Sequence, residues 1–584
     1  MKEKLLICVY SLFLIISCSP ERENTDNQST LKEGKGERYY GGIFRLNESE
    51  YIKNLFPHNI TDAYSYRVAS QIYEGLFKLD DENLQVIQGL AENYEIDESG
   101  KTYTIKLKEG IYFHDDPCFT DGKGRELTAE DVKYCFTRLC IQNMNNQLFS
   151  SSFKDVLLGA NEYYNASASG KEPEFGLKGI QVVDKYTIQL RLIEPNSIFL
   201  VTLSMPECFI YPREAEKMYG IDMRIKTVGT GPFYLASVDE DISLILKKNE
   251  NYHGIDAFGN QLPFLDAISI QFIKDKKTEL FEFRKGNLEM LYRLPTDYII
   301  DILEETSKIE QGEYQPYDLQ RVPEMMTQFL TFNLQDPVFE DKNVRKAFSY
   351  AIDREKILDF VLNGEGYAPG NHGITPPVFA DYSIDDIYGY HLNVDSARYF
   401  LSKAGYPEGK KFPRIELLLN AEGERNTNVA IEIQKQLKDN LNIEIELTIL
   451  PFAQLIEKSY QGTFRFMRTG WVADFPSAEN FLWPFYGGNV PTKRGAISYP
   501  NIARYQNNNF DALYRTALNA KTLREANRIF KQAEKILIED APIIILWYDE
   551  GYRLIRSYVK NFPNNPMQYR DFSEVYFDKP KQLN

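Results

Sequence analysis

Lys101-Thr102-Tyr103-Thr104-Ile105-Lys106-Leu107-Lys108-Glu109-Gly110, followed by Phe113-His114-Asp115 and by Leu127-Thr128-Ala129-Glu130-Asp131-Val132, is the stretch from which the rest of the chain can be read. Residues 103–107 alternate apolar and polar, the period of a strand with one buried face. Gly110 breaks that run, and Ile111-Tyr112-Phe113 predicts a second short strand. Thr128 then stands where a helix N-cap belongs, and Asp131 three residues later suits a capping box. The helix is expected to continue through Val132, Phe136 and Leu139, so strand and helix alternate within forty residues.

Working outward, the same alternation recurs. Gly179 to Ile193 predicts a strand pair around Asp184-Lys185, and Val228-Gly229-Thr230-Gly231-Pro232 a rigid turn into a strand at Phe233–Leu235. Strands are expected at Ser243–Lys247, Ala267–Ile273, Phe329–Asn333, Ile415–Leu419, Ile443–Leu450 and Ile543–Trp547. Helices are expected at Asn343–Leu362, Asp395–Ala404, Val429–Leu441 and Leu523–Glu539, from apolar residues at helical spacing. This order describes an α/β chain with mixed sheet. Its 584 residues exceed what one core can serve, so two or three lobes are expected. No fixed-period repeat is present.

Upstream, Lys2 and Lys4 precede an apolar run, Leu5–Ile16, that is too short for a permanent membrane span. It ends in Ile15-Ile16-Ser17-Cys18, which reads as a lipoprotein signal peptide over 1–17 with Cys18 as the lipidated residue. Ser19–Arg38 has almost no apolar side chain, so residues 18–38 are expected to tether a body lying near a membrane. The protein is therefore expected to be exported and lipid-anchored, facing the periplasm or the cell exterior.

The formal net charge is −17 and no basic run occurs, which argues against nucleic acid as a partner. The five histidines are scattered, no CxxC is present, and neither a metal nor a cofactor is expected. Of the cysteines that remain after Cys8 and Cys18, Cys135 and Cys140 point apart on one helix, and Cys118 with Cys208 is the pairing left open. There is no GxSxG, HExxH or GxxxxGK[ST], and the 84 acidic residues produce carboxylate pairs by chance. The chain is not expected to be an enzyme.

The motifs quoted above resemble family 5 of the extracellular solute-binding proteins, the peptide-binding components of bacterial ABC importers. The resemblance runs from about Tyr39 to the end of the chain through Leu90-Ala91-Glu92, Gly229–Tyr234, Asn249–Tyr252, Val344–Ala347 with Ala351–Arg354, Ala404–Pro407, Trp471–Pro476 and Ala541–Ile543. It implies a type II periplasmic-binding-protein fold of two main lobes with a hinge and an inserted smaller domain. Domain I would comprise 39–73, 198–325 and 545–584, the inserted domain II 74–197, and domain III 326–544, with hinge crossings near 325 and 545. Most of these motifs read as scaffold: a solvated strand face, a helix cap, a turn, a helix with its ion pairs.

Arg468-Thr469-Gly470-Trp471-Val472-Ala473-Asp474 is different. By resemblance, Asp474 would take the α-ammonium of a peptide and Arg468 its carboxylate. Six extended residues span at most roughly 20 Å, enough to bracket a short peptide. An enclosed zwitterion needs partners at both ends, and arginine offers carboxylate a forked contact. Gly470 would let a ligand backbone approach and pair as an added strand, and Trp471 would flank a side-chain pocket. The same resemblance puts Thr61, Asp62 and Ala63 on the opposite lobe and Trp547 and Tyr548 near the cleft. The sequence departs from the family pattern at Leu362, where some members carry a basic residue, and after Leu418-Leu419-Asn420, where a histidine is missing and Arg425 would replace it. The function so implied is capture of short peptides by a monomer and their delivery to an ABC permease and ATPase complex. The alternatives are the same fold holding an oligosaccharide or nickel chelate, a hydrolase, or an adhesin or signalling lipoprotein.

Overall fold

The computed structural model describes residues 31–143, 146–168, 171–295, 298–309, 317–379, 381–420, 423–493 and 495–579. The signal peptide, Cys18 and most of the tether expected from the sequence lie outside the described residues.

Three sheets organise the chain. The first has four strands in the order Phe233–Asp239, Ser243–Lys248, Ala267–Gln271 and Ile43–Asn47, the last lying parallel to its neighbour. Phe44, Leu46, Leu244, Leu246, Ile268 and Ile270 all point to one buried face, as alternation requires.

The second sheet is antiparallel, in the order Ala91–Ile96, Thr102–Leu107, Thr187–Arg191, Ile180–Asp184. Tyr103, Ile105 and Leu107 are buried, while Lys106 lies on the solvent face against Glu92. The helix Ala129–Leu139 packs here, and its capping box is present, with the Thr128 backbone N–H donating to Asp131 at 2.9 Å. The expected strand at Ile111–Phe113 reduces to a single bridge, Tyr112 with Glu126.

The third sheet has seven strands. Its order is Met290–Tyr292, Ile543–Arg556, Tyr317–Phe332, Phe466–Val472, Ile415–Asn420 and Ile445–Leu450, with Ala368–Pro369 attached to Ile543–Arg556. The two long central strands exceed the expected Ile543–Trp547 and Phe329–Asn333, because their outer halves are mixed polar segments that pair with each other rather than forming apolar runs. Their register breaks where Glu324, Met325 and Met326 oppose Asp549 alone.

The helix expected over 343–362 is interrupted. Lys342–Tyr350 ends, and Asp353 caps a new turn by accepting from the Lys356 N–H at 2.9 Å. Arg354 is fully buried between them and donates to the carbonyls of Ser349, Ile352 and Ile545. The helix expected from Val429 starts at Gly423. All four cysteines among the described residues are free, so Cys118 and Cys208 are not bridged.

The motifs of the sequence converge at one junction. His114 accepts from the Gly229 N–H at 3.3 Å and faces the Gly231 carbonyl at 2.9 Å, and Asn249 donates to that same carbonyl at 3.0 Å. A Cβ on Gly229 would sit 2.1 Å from the Ile72 oxygen, so only glycine lets these segments close. One hydrophobic core joins residues far apart in the chain, Leu79, Leu84 and Met205 with Ala473, Ala478, Phe481 and Phe530.

Candidate ligand-binding site

Phe466–Val472 is the strand on which the site is built. One edge pairs with Met326–Phe332 along its whole length. The other edge pairs with Leu417 and Leu418 at Phe466 and Met467 only. From Arg468 to Val472 that second edge has no strand partner among the described residues, which leaves backbone N–H and C=O groups available to an extended guest.

Asp474 follows the end of this strand. Asn480, on the short helix Ala478–Leu482, sets its position. The Asn480 Oδ1 accepts from the Asp474 backbone N–H at 3.0 Å and from the Trp471 indole N–H at 2.9 Å. Both are obligatory donors, so the amide orientation is determined and Nδ2 turns toward the Asp474 carboxylate, at 3.5 Å. No lysine, arginine or histidine among the described residues pairs with Asp474. Its side chain is exposed to water with protein packed about it, and the desolvation this causes raises its pKa.

Two further carboxylates feel Asp474. Glu207 and Glu479 are both buried, and burial together with the Asp474 charge pushes each up to about 7. Beside them runs an aromatic series: Trp471 and Trp483 have ring centroids 6.3 Å apart, Trp483 and Tyr499 6.0 Å, and Tyr499 and Tyr460 5.1 Å.

At the other end, Arg468 donates to Gln328 Oε1 at 2.5 Å and to Asn420 Oδ1 at 3.2 Å. Gln328 in turn donates to Asp549 at 3.0 Å. Gly470 makes this possible, since a Cβ there would meet Gln328 Oε1 at 2.8 Å. Its glycine thus admits a side chain of the neighbouring strand, a role the sequence reading did not foresee.

Four of the expected ligand contacts, Arg425, Trp547, Tyr548 and Asp62, are engaged within the protein itself. The Arg425 guanidinium is taken by Asp549 at 3.0 Å and by the Glu365 carbonyl at 2.9 Å, and it lies over the Trp547 ring. The physical reason is the wholly buried Asp549 carboxylate, which requires a cation. Trp547 and Tyr548 are each 1% exposed and belong to cores on opposite faces of the sheet, so neither side chain is offered to a guest. Tyr548 donates its hydroxyl to the Gly373 carbonyl at 2.6 Å. Asp62 caps the helix Ala63–Ile72 by accepting from the Ser65 N–H at 2.9 Å, while Thr61 and Ala63 are exposed beside it. Sequence reasoning missed Gln328, Asn480, Glu207 and Glu479. The first two are amides and the last two ordinary glutamates in apolar surroundings, and nothing local marks them.

No group of His, Cys, Asp and Glu among the described residues is arranged to hold a metal ion. No helix among them is long and apolar enough to cross a membrane.

The profile of the bacterial extracellular solute-binding proteins, family 5 Middle, matches residues 85–492. The chain belongs to that family. Heme-binding protein A of Haemophilus influenzae is 25% identical to this solute-binding protein over 595 residues, covering 99% of this chain and 100% of its own. The dipeptide-binding protein of Escherichia coli is 24% identical, covering 89% and 91%. The structure of the ABC transporter-associated periplasmic binding protein DppA from Helicobacter pylori in complex with peptide STSA superposes with a TM-score of 0.73, over 93% of this chain and 99% of that one, at 22% identity. The mixed α/β, multi-lobed fold expected from the sequence is thus the fold observed.

Proposed function

We propose that this solute-binding protein captures short peptides with free termini in the cleft beside Phe466–Val472 and delivers them to an ABC permease without making or breaking a bond. The observation that carries this reading is the Asp474 carboxylate: desolvated, positioned by Asn480, without a basic partner among the described residues, and set at the end of an unpaired strand edge. Asp474 is exposed, so it stands charged in the free protein; a guest that covers it must supply a cation, and a ligand ammonium does so. Arg468, on the same strand, lies in the right segment to meet the carboxylate, and the free edge between them supports main-chain pairing. The division into domains I, II and III with hinge crossings near 325 and 545 belongs to this reading; the register break at 324–326 opposite Asp549 is where we would place the bend. So do acylation of Cys18, anchoring through the tether, and action as a monomer.

Calorimetry with tetra-alanine and its N-acetylated form tests the central claim. Asp474→Ala is expected to weaken tetra-alanine by roughly 2–5 kcal/mol, the cost of leaving one partner of a buried charge pair alone, and acetylation should weaken binding to the parent protein comparably. Equal affinities across both comparisons would sink the peptide reading. A thermal-shift screen including heme and oligosaccharides would then name the replacement, since any ligand of the folded state raises the midpoint.

A further inference from the structure

Two arginines far from the ligand strand share one interior corner. Arg553, on the strand Ile543–Arg556, stands directly opposite Tyr292 of the strand Met290–Tyr292. The Arg570 guanidinium sits over that same Tyr292 ring, 5.8 Å from its centroid. A second bridge joins them: Arg553 lies 4.5 Å over the Phe562 ring, and Phe562 packs at 5.4 Å against Phe572, two positions past Arg570. Both side chains are closed off from water, with 1% exposure for Arg570 and 2% for Arg553.

The acceptors around them do not match their charge. Arg570 gives Nη1 to Glu48 at 2.6 Å, but Arg67 engages both oxygens of that carboxylate, at 2.9 and 2.7 Å. Arg553 meets no carboxylate among the described residues. Its Nε and Nη2 donate to Gln320 Oε1 at 2.8 and 2.6 Å, and Nη2 also reaches the Pro563 carbonyl and Asn564 Oδ1. Glu324, which the Tyr292 hydroxyl meets, is paired with Arg293 at 2.6 Å. Three buried nitrogens are left without an acceptor among the described residues: Nε and Nη2 of Arg570 and Nη1 of Arg553. Nε and Nη2 form one edge of a guanidinium, the fork that holds an anion by two parallel bonds. Arg345 gives the contrast. It too is buried without an ion pair, yet its nitrogens all find carbonyls, those of Phe339, Glu340, Asp540 and Ala541.

We propose that the free edge of Arg570 and Nη1 of Arg553 form an interior site for a small monovalent anion of the halide class. The site uses none of the residues assigned to the peptide. A buried charge without its counterion is costly, and an anion balances what neutral acceptors cannot. With the Tyr292 and Phe562 rings for walls, the corner favours an ion that sheds its water readily, chloride or bromide over phosphate. Burial and the neighbouring Arg570 charge push the Arg553 pKa down to about 9, so the group still carries its proton at pH 7. A bound anion ties the strand Ile543–Arg556 to the C-terminal segment 562–572, so its occupancy is read as stability.

The experiment places the whole protein in sodium gluconate at pH 7 and replaces gluconate with sodium bromide at constant ionic strength, recording the melting midpoint. The parent's midpoint is expected to rise by a few degrees between about 1 and 100 mM bromide, as mass action requires of an ion bound only by the folded state. Arg553→Gln should lose most of that dependence. Anomalous scattering from bromide-soaked crystals of the parent needs no variant and decides the matter if Arg553→Gln does not fold: bromide is expected within hydrogen-bonding reach of Arg570 Nε and Nη2. A parent midpoint indifferent to bromide would overturn the site. So would an Arg553→Gln midpoint that follows bromide as the parent's does, or a map with bromide at the surface and only water between the arginines. No peptide enters these measurements, so the peptide reading stands or falls separately.

Discussion

Gly470 shows how one missing Cβ positions a side chain at a distance. Its absence lets Gln328 reach across the strand pair, where the amide accepts from Arg468 and donates to Asp549. Because both ends of that amide are held, it cannot swing aside for a methyl group. Gly470→Ala is expected to shift Gln328 and with it Arg468, at about 1–3 kcal/mol of overpacking. The measurement is the affinity ratio between a tetrapeptide acid and its C-terminal amide. That ratio should shrink in the variant, and a ratio unchanged from the parent's would show that Arg468 does not depend on this support. Asn480 plays the matching part for Asp474, and its amide is likewise oriented by donors that have no alternative partner.

At the scale of elements, the family motifs are scaffold. The capping box at Thr128 and Asp131, the interrupted helix at Asp353 and Arg354, and the junction of His114 with Gly229–Gly231 all satisfy backbone groups or close segments together. Asp62 falls in the same class. Its side chain accepts from both the N–H and the hydroxyl of Ser65, at 2.9 and 2.8 Å. Asp62→Ala is expected to cost about 1 kcal/mol, read as a lower midpoint in urea. Peptide affinity should hold, since the residue's side chain is turned to its helix; a large affinity loss with unchanged stability would return Asp62 to the binding surface. The expected strands and helices were legible because each carries its own periodicity. The outer halves of the two long central strands were not, because mixed polar segments become strands only when a partner strand is beside them.

Across the whole molecule, buried charges join segments far apart in the chain. Glu48, just after the strand Ile43–Asn47, meets Arg67 at 2.7 Å and Arg570 at 2.6 Å. Burial alone would raise its pKa, but the two arginines outweigh that and hold it below the ordinary carboxylate value. A carboxylate depressed in the folded state contributes stability above its unfolded pKa, and that contribution is lost as pH falls through the folded one. Glu48→Gln is therefore expected to destabilise by roughly 3–5 kcal/mol at pH 7, because it leaves two buried guanidinium groups short of their partner. The difference from the parent should narrow as pH falls below about 4. Thermal unfolding of both proteins between pH 3 and 7 checks this, and a difference independent of pH would contradict it. Glu207 has the opposite sign, its charge opposed by both burial and Asp474.

The sequence by itself determined the α/β class, the motifs of the solute-binding family and the segment bearing Arg468 and Asp474, because periodicity, caps and glycine turns act over a few neighbouring residues. Only the tertiary structure decided which charges meet. Arg425 looked available for a ligand until Asp549, 124 positions away, was found against it. Coulomb energy depends on separation in space and on the water excluded between the groups, and neither can be counted along the chain.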